Sequence, residues 1–183
     1  MTRTFKQTAM ALMVGMTFFI SSCSEETPPV TPQAELTVSM DPAEIYLGPG
    51  GSATVNIKIE EAADVVSWRA VLKYDPDKLQ VFSLKIRDLS NNFLAQSGAS
   101  IIESDRLIDT DNGTIIIGAL AQRYGFNGVD GDGTLAQFKI SSPTSDPSSS
   151  ITFESVELYK HPVANPPVVT TPKIVNTTIK KGS

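Results

Sequence analysis

Apolar and polar residues alternate along most of the chain from about residue 35 onward, and the alternation is clearest between residues 66 and 74. One set of alternate positions there is apolar or aromatic: Trp68, Ala70, Leu72 and Tyr74. The other set is Ser67, Arg69, Val71 and Lys73. Successive side chains of a β-strand point to opposite faces, so this segment is predicted to be a strand with the Trp68 set in the core. The Arg69 set is predicted to face solvent or a partner.

Further strand-like runs follow at short intervals, separated by clusters of Gly, Pro, Asn, Asp and Ser. They are predicted at residues 36–40, 53–59, 79–86, 114–121, 134–140, 151–159 and 173–179. The pattern is weaker between residues 87 and 109, which are predicted to form loops around short strands. Residues 125–133 are predicted to form a glycine-rich loop. No helical periodicity accompanies these runs, so the prediction is one all-β domain, a sandwich or barrel of about nine strands.

The strand predicted at residues 134–140 has an irregular pattern. Leu135 and Phe138 are both apolar but lie three positions apart, so a regular strand cannot turn both toward the core. A β-bulge between them would reconcile the pattern, and the sequence leaves this open.

Residues 1–22 are predicted to be a signal peptide and not part of the fold. The apolar stretch at residues 9–20 is too short to span about 30 Å of hydrocarbon as a helix, and it follows a positively charged start. The run Ile20-Ser21-Ser22-Cys23 resembles a bacterial lipobox, which implies that Cys23 is lipidated and becomes the mature N-terminus. The alternative is an ordinary signal peptide followed by an incidental cysteine.

The segment from 23 to 34 is predicted to be a tether that holds the domain, residues 35–183, away from a membrane. Pro28, Pro29 and Pro32 prevent helix and favour an extended spacer. Ser24 after the cysteine resembles a signal for release to the outer membrane. The following two glutamates are similar to surface-export signals, or they only solvate the tether, so surface display stays open.

Composition argues against several classes of function. The net charge is −5, with 15 Lys+Arg against 20 Asp+Glu, so the chain offers no basic face for nucleic acid. Cys23 is the single cysteine and His161 the single histidine, which leaves neither a Cys/His pair nor a multi-histidine metal site. The prediction is therefore a protein that is not an enzyme and needs no cofactor, although a catalytic carboxylate pair is not ruled out.

The acidic residues between 128 and 133 invite a calcium interpretation, because Asp130 and Asp132 lie two positions apart. Aligning Gly133 with the glycine of an EF-hand loop places Gly128 and Lys139 at the first and last ligand positions, so the template fails. A turn rich in Asp and Gly is the favoured interpretation, and no metal site is predicted. Three further acidic residues are treated in the same way: Asp105, Asp109 and Asp111.

Four segments resemble the cohesin domain: residues 65–81 with the Leu-Lys-Tyr-Asp-Pro run, 112–119 with Asn-Gly-Thr, 131–140 with Gly-Asp-Gly-Thr-Leu-Ala, and 151–159. Their order covers nearly the whole of the chain after the tether. The resemblance implies a nine-stranded jelly-roll β-sandwich, shared with some carbohydrate-binding modules, and a non-catalytic role. Cohesins dock calcium-loaded dockerin modules, which are often carried by enzymes that act on plant polysaccharides. The expected function is a lipid-anchored module that docks a dockerin-bearing or other partner protein.

Candidate partner-binding residues come from two places. The first is the outward set of the Trp68 strand: Arg69, Val71 and Lys73. The second is Tyr124 and Phe126, which flank Gly125 and either present exposed rings to a ligand or fold over the end of the sandwich.

Two alternatives to protein docking remain. A carbohydrate-binding module would bind polysaccharide directly, usually through several aromatic rings in a row. The only tryptophan, Trp68, is predicted to point inward, which weakens that interpretation, although Tyr124, Phe126 and Tyr159 remain. The other alternative is a structural lipoprotein whose partner is another component of the cell envelope.

Overall fold

The computed structural model describes residues 35–123, 125, 127–161 and 169–182. Within these ranges the chain forms eleven strands and one 3-10 helix, Leu94–Ser97. The strands are β1 (Thr37–Asp41), β2 (Glu44–Leu47), β3 (Ser52–Lys73), β4 (Gln80–Lys85), β5 (Ser100–Asp109), β6 (Thr114–Gln122), β7 (Val129–Ser141), β8 (Ser149–Lys160), β9 (Val169–Thr170), β10 (Lys173–Val175) and β11 (Thr177–Lys181). None of the helical structure in the described part is long and apolar enough to cross a membrane.

The long strand β3 belongs to both layers of a β-sandwich. Its first half pairs with β1 and β7, which gives a first sheet in the order β10-β1-β3-β7-β4. Its second half pairs with β6 and β8, which gives a second sheet in the order β5-β6-β3-β8-β11-β2. The predicted all-β sandwich is confirmed, with the correction that residues 53–59 and 66–74 are two halves of one strand.

The passage of β3 between the two sheets is held by aspartate side chains. Glu61 and Asp64 have positive φ angles of 55° and 58°, at register shifts where β3 leaves its first partner. Their backbone N–H groups donate to Asp132 Oδ1 and Asp130 Oδ1 at 2.8 and 2.7 Å. The bulges remove these backbone N–H groups from strand pairing, and the two carboxylates accept their hydrogen bonds instead. The acidic segment that resembled a calcium loop therefore has a structural role.

The predicted glycine-rich loop at residues 125–133 is partly wrong. Strand β7 already begins at Val129 and carries Asp130 and Asp132 within it. Gly128 precedes the strand with a φ of 97°, and a Cβ at this position would collide with the backbone of Asp64. A glycine is required at position 128 because the backbone there passes close to the bulged part of β3. The loop before β7 is shorter than the composition of residues 125–133 suggests.

The core between the sheets contains the predicted inward set, since Trp68, Ala70, Leu72 and Tyr74 are all buried. The register between β3 and β7 shifts at Ile57/Lys58, so that residue 135 is the extra residue of a bulge. Leu135 and Phe138 are consequently both buried. The bulge that the sequence left open is present.

Strand β5 is a ten-residue strand in a region that was predicted to form loops. Its pattern is mixed. Ile101 and Ile108 pack against the core, but Glu103 and Arg106 also lie opposite buried residues of β6. Arg106 Nη2 donates to the carbonyl of Leu84 in β4 at 2.7 Å, and Glu103 accepts a 3.4 Å hydrogen bond from the backbone N–H of Arg87. These contacts close the side of the sandwich with polar groups, so the usual alternation does not identify the strand. Likewise, residues 173–179 form two strands, β10 and β11, and the short β2 was not predicted.

Candidate docking surface

A row of aliphatic side chains crosses the outer face of the second sheet, at right angles to its strands. Leu107 of β5 pairs with Ile116 of β6, and Ile116 pairs with Val71 of β3. Neighbouring strands lie about 4.8 Å apart, so the three side chains form one contiguous strip. Leu107 is 50% exposed, and the other two are half-buried. We call these three residues the first apolar row.

A second apolar row lies on the same face. Ile102 of β5 pairs with Leu120 of β6, and Ile102 is 41% exposed. Leu120 is four residues beyond Ile116 along β6, so the two rows are about 13 Å apart. The outer face of β5, β6, β3 and β8, which we call the docking face, therefore exposes aliphatic side chains at two separate places.

A charged row separates the two apolar rows. Arg69 Nε lies 3.6 Å from Asp105 Oδ2, although β3 and β5 are not adjacent strands. The ion pair crosses over Gly118 of β6, which pairs with both residues. A Cβ at Gly118 would lie 2.7 Å from Ser104 Oγ and 2.9 Å from the carbonyl oxygen of Trp68. The glycine leaves the space in which the two charged side chains meet.

The charged row continues onto β8 through Glu157, which pairs with Arg69. Tyr159 donates its hydroxyl to Glu157 Oε2 at 2.7 Å, and this hydrogen bond is the main reason why the pKa of Tyr159 is raised. The tyrosine therefore stays protonated as a hydrogen-bond donor at neutral pH. The row thus presents two carboxylates, one guanidinium and one phenol.

The three β3 residues predicted from the sequence all lie on the docking face, but in different surroundings. Val71 completes the first apolar row, and Arg69 is held by its ion pair. Lys73 donates from Nζ to Thr114 Oγ1 at 2.6 Å, at the end of the face. Val71 is the only one of the three whose side chain has no polar group. Burial of its side chain in an interface is therefore the most favourable of the three.

The sequence prediction missed four aliphatic residues of this surface: Ile102, Leu107, Ile116 and Leu120. A signal for two of them existed, because residues 114–121 are apolar at both odd and even positions. Such a strand has two apolar faces, and only one of them can face the core of a sandwich. The two β5 residues were not recognised because that strand has both apolar and charged residues at its core-side positions.

The remaining candidate residues are placed as follows. Tyr124, Phe126 and Cys23 lie outside the described residues, so the predictions made for them stay predictions.

Asp109 caps the turn between β5 and β6, and hydrogen bonds from Asn112 are the main cause of the lowered pKa of its carboxyl. Within the described residues, no group of three or more His, Cys, Asp or Glu side chains could hold a metal ion.

Comparison with known proteins gives a result at the level of structure only. No profile of a known protein family matches the chain, and no curated protein matches it. A non-cellulosomal cohesin from the archaeon Archaeoglobus fulgidus is similar, with a TM-score of 0.56 and 23% identity over 82% of this chain and 93% of that one. A novel type I cohesin–dockerin complex from Clostridium thermocellum matches with a TM-score of 0.61 and 19% identity over 81% and 99% of the two chains.

A third similar structure is the third cohesin ScaC of Acetivibrio cellulolyticus in complex with the ScaB dockerin. Its TM-score is 0.62 and its identity 14%, over 81% of this chain and 99% of that one. The three structures come from different organisms and share the β-sandwich with the present chain. The domain described here is therefore cohesin-like in fold.

Proposed function

We propose that this chain is a non-catalytic docking module that binds a dockerin-like partner protein through its docking face. The observation that carries the proposal is the exposure of Leu107 and Ile102 beside the half-buried Ile116, Val71 and Leu120 on the outside of one sheet. Covering each of the two exposed side chains contributes about 1 kcal/mol, since roughly half of each is still in water. An aliphatic surface with a polar surround is the usual composition of a protein interface.

The chemistry of the face favours a protein over a sugar as its ligand. Its two apolar rows are aliphatic, and an aliphatic side chain offers no ring for a sugar to stack on. Two of the similar cohesins, from Clostridium thermocellum and Acetivibrio cellulolyticus, have been solved in complex with dockerins. These complexes support a dockerin-like partner for this chain. The proposed link to polysaccharide degradation rests only on the cohesin resemblance of the sequence.

Docking through a sheet face is also more consistent with the structure than the addition of a strand at a sheet edge. The described edge strands β2 and β10 have only four and three residues, and the edge strand β4 has six, with a register shift between Phe82 and Lys85. The longer edge strand β5 has a register shift between Glu103 and Asp105 and carries several charged side chains. Short, bulged and charged edges are common devices against pairing with another chain.

The proposed setting is the bacterial cell envelope, with the domain anchored by a lipid on Cys23. The support is the lipobox-like run from Ile20 to Cys23, followed by the proline-containing tether. Metabolic labelling with a palmitate analogue tests this setting. We expect label on the wild-type chain in the membrane fraction and none on the Cys23→Ala variant. Label that persists in the variant would contradict lipidation at this residue.

The proposed function is tested by capture of dockerin-bearing proteins from the source cells, with calcium and with a chelator. We expect capture that requires calcium, because the cohesin resemblance implies a calcium-loaded dockerin. Val71→Asp should lose the capture, whereas Thr54→Asp should retain it. Thr54 is the matched control, since it is a half-buried, outward residue of the same strand β3 in the other sheet. Absence of dockerin-bearing proteins under both conditions would overturn the proposal.

A further inference from the structure

A groove of about 680 Å³ lies at one end of the sandwich, apart from the two apolar rows. It is formed by the turn that follows β3, the start of β4, the turn between β5 and β6, and the end of β7. Its solvent-accessible lining consists of Pro76, Gln80, Phe82, Thr110, Asp111 and Ser141. Three buried apolar residues complete it: Tyr74, Leu79 and Val81.

The walls of the groove are held by backbone hydrogen bonds, so the groove is formed before any ligand arrives. The backbone N–H of Tyr74 donates to the carbonyl of Gly113 at 2.9 Å, and that of Leu79 donates to the carbonyl of Asp75 at 3.0 Å. Gly113 has a φ of 58°, and a Cβ there would collide with the carbonyl oxygen of Tyr74. A preformed site avoids the entropy cost of ordering its loops on binding.

Phe82 gives the groove an apolar surface that faces solvent. Its side chain lies on the outer face of β4 and is 39% exposed, and its neighbours on that face, Lys139 and Gln80, are polar. Gln80 and Ser141, which pair with each other next to Phe82 along the two strands, add an amide and a hydroxyl to the lining. A flat apolar ring flanked by polar groups suits a ligand that has one apolar face and hydroxyl groups at its rim.

The polar lining groups are available for a ligand. Among the described residues, no hydrogen bond engages the side chains of Gln80, Thr110, Asp111 or Ser141. The Tyr74 hydroxyl has no partner in the described part of the chain either, but its oxygen is buried beneath the accessible lining. Burial, and to a lesser degree the charge of Asp109, raises the pKa of Tyr74, so the phenol remains a donor.

The charge of the groove narrows the class of ligand. Its lining contains one carboxylate, Asp111, and no Lys or Arg, so it has no group to neutralise a phosphate or carboxylate ligand. A single carboxylate is also insufficient for a tightly bound metal ion. An uncharged, polyhydroxylated ligand fits this lining, whose accessible polar side chains carry one amide, two hydroxyls and one carboxylate.

We propose that this groove binds a pyranose unit of a polysaccharide, with one sugar face on the ring of Phe82 and the hydroxyls hydrogen-bonded to Gln80, Thr110 and Asp111. The site is separate from the docking face. The chain then holds a partner protein with one surface and contacts a glycan with another.

The experiment is a titration of the purified chain with cellohexaose, xylohexaose and maltohexaose, followed by the shifts of backbone amide signals in NMR spectra. We expect at least one of the three oligosaccharides to shift the signals of Gln80, Phe82 and Asp111, while the signals of Val71 and Leu107 stay in place. Phe82→Ala should weaken this binding about tenfold or more, equal to roughly 1.4 kcal/mol. Asp111→Asn, which keeps the shape of the side chain, should weaken it less.

Tyr46→Ala is the matched control, because Tyr46 on β2 is an even more exposed aromatic residue, at 63%, outside the groove. Unchanged amide signals of the groove with all three sugars would overturn the proposal, and so would an equal loss of binding in Tyr46→Ala and Phe82→Ala. Failure here is distinguishable from failure of protein docking. Val71→Asp should abolish capture of the partner without altering the sugar titration, and Phe82→Ala should do the reverse.

Discussion

The outer faces of the two sheets differ although the same strand, β3, runs through the middle of both. In the first sheet, β3 presents Thr54, Asn56 and Lys58, and Asn56 accepts a 2.9 Å hydrogen bond from Gln137 of β7. In the second sheet, β3 presents Val71 beside the exposed aliphatic side chains of its neighbours. The first face is mainly polar, with Phe82 and Val175 as separate exposed apolar residues on its edge strands. The second leaves aliphatic surface uncovered.

Each face also has one ion pair that involves β3, so the two faces are alike in this respect. On the first face Lys58 Nζ lies 2.7 Å from Asp41 Oδ2, and on the docking face Arg69 Nε lies 3.6 Å from Asp105 Oδ2. Both pairs are partly exposed, so neither contributes much to stability. The difference between the faces therefore lies in how their exposed apolar side chains are arranged. Phe82 and Val175 lie apart from each other on the first face, whereas the aliphatic side chains of the docking face form rows across neighbouring strands.

The largest change in stability is expected from Gly118→Val. The added side chain would overlap the carbonyl oxygen of Trp68 and the Arg69–Asp105 ion pair, and overpacking of this kind costs about 1–3 kcal/mol. The measurement is chemical denaturation, with the free energy of unfolding compared among variants. Gly48→Ala is the control, because a Cβ at Gly48 meets no atom within 4 Å. Equal stability of the wild type and Gly118→Val would contradict the close contact described here.

An intermediate effect is expected from reversing one charge on each face. Arg69→Glu and Lys58→Glu should each change the free energy of unfolding by less than about 1 kcal/mol, because exposed ion pairs are weak. Arg69→Glu should nevertheless weaken binding of the dockerin-like partner about tenfold, since it places three acidic groups in the charged row. Lys58→Glu should leave that affinity unchanged. Equal effects of the two variants on affinity would show that the faces are not functionally distinct.

The smallest effect is a dependence on pH at the turn between β5 and β6, at the end of the docking face. Hydrogen bonds from Asn112 hold the pKa of Asp109 below the ordinary value of 3.8. A depressed pKa in the folded state means that the contribution to stability is complete above the unfolded value and is lost as pH falls through the folded one. We expect the protection of this turn's amides, measured as their exchange rate relative to that of an unfolded chain at the same pH, to fall below about pH 4, and this fall to be absent in Asp109→Asn. A wild-type turn whose protection shows no such fall would contradict the capping role.

The sequence predicted the fold well in segments where burial in the core alone decides which positions are apolar. The alternation around Trp68 identified the core side and the outward side of β3, because that strand is central and its neighbours cover it evenly. The bulge at Leu135 was recognisable as a conflict between spacing and burial. In both cases a local pattern determines the answer.

The sequence failed where contacts between distant segments decide the structure. Arg106 lies opposite the buried Ile117, and its half-exposed side chain reaches the carbonyl of Leu84 at the edge of the sandwich. Nothing local in the sequence signals that contact. The continuity of β3 across residues 60–64 depends on the carboxylates of Asp130 and Asp132. The docking face could not be assembled from sequence for the same reason, since its first apolar row joins residues 71, 107 and 116 through strand pairing alone.

The central claim is that the outer face of β5, β6, β3 and β8 binds the partner. Isothermal titration of a dockerin module with the wild type, Val71→Asp and Thr54→Asp tests it most directly, because both substitutions add one carboxylate to the same strand. We predict that Val71→Asp weakens the affinity about thirtyfold or more, equal to roughly 2 kcal/mol, and that Thr54→Asp leaves it unchanged. Equal affinities of the two variants, or a loss confined to Thr54→Asp, would contradict the claim.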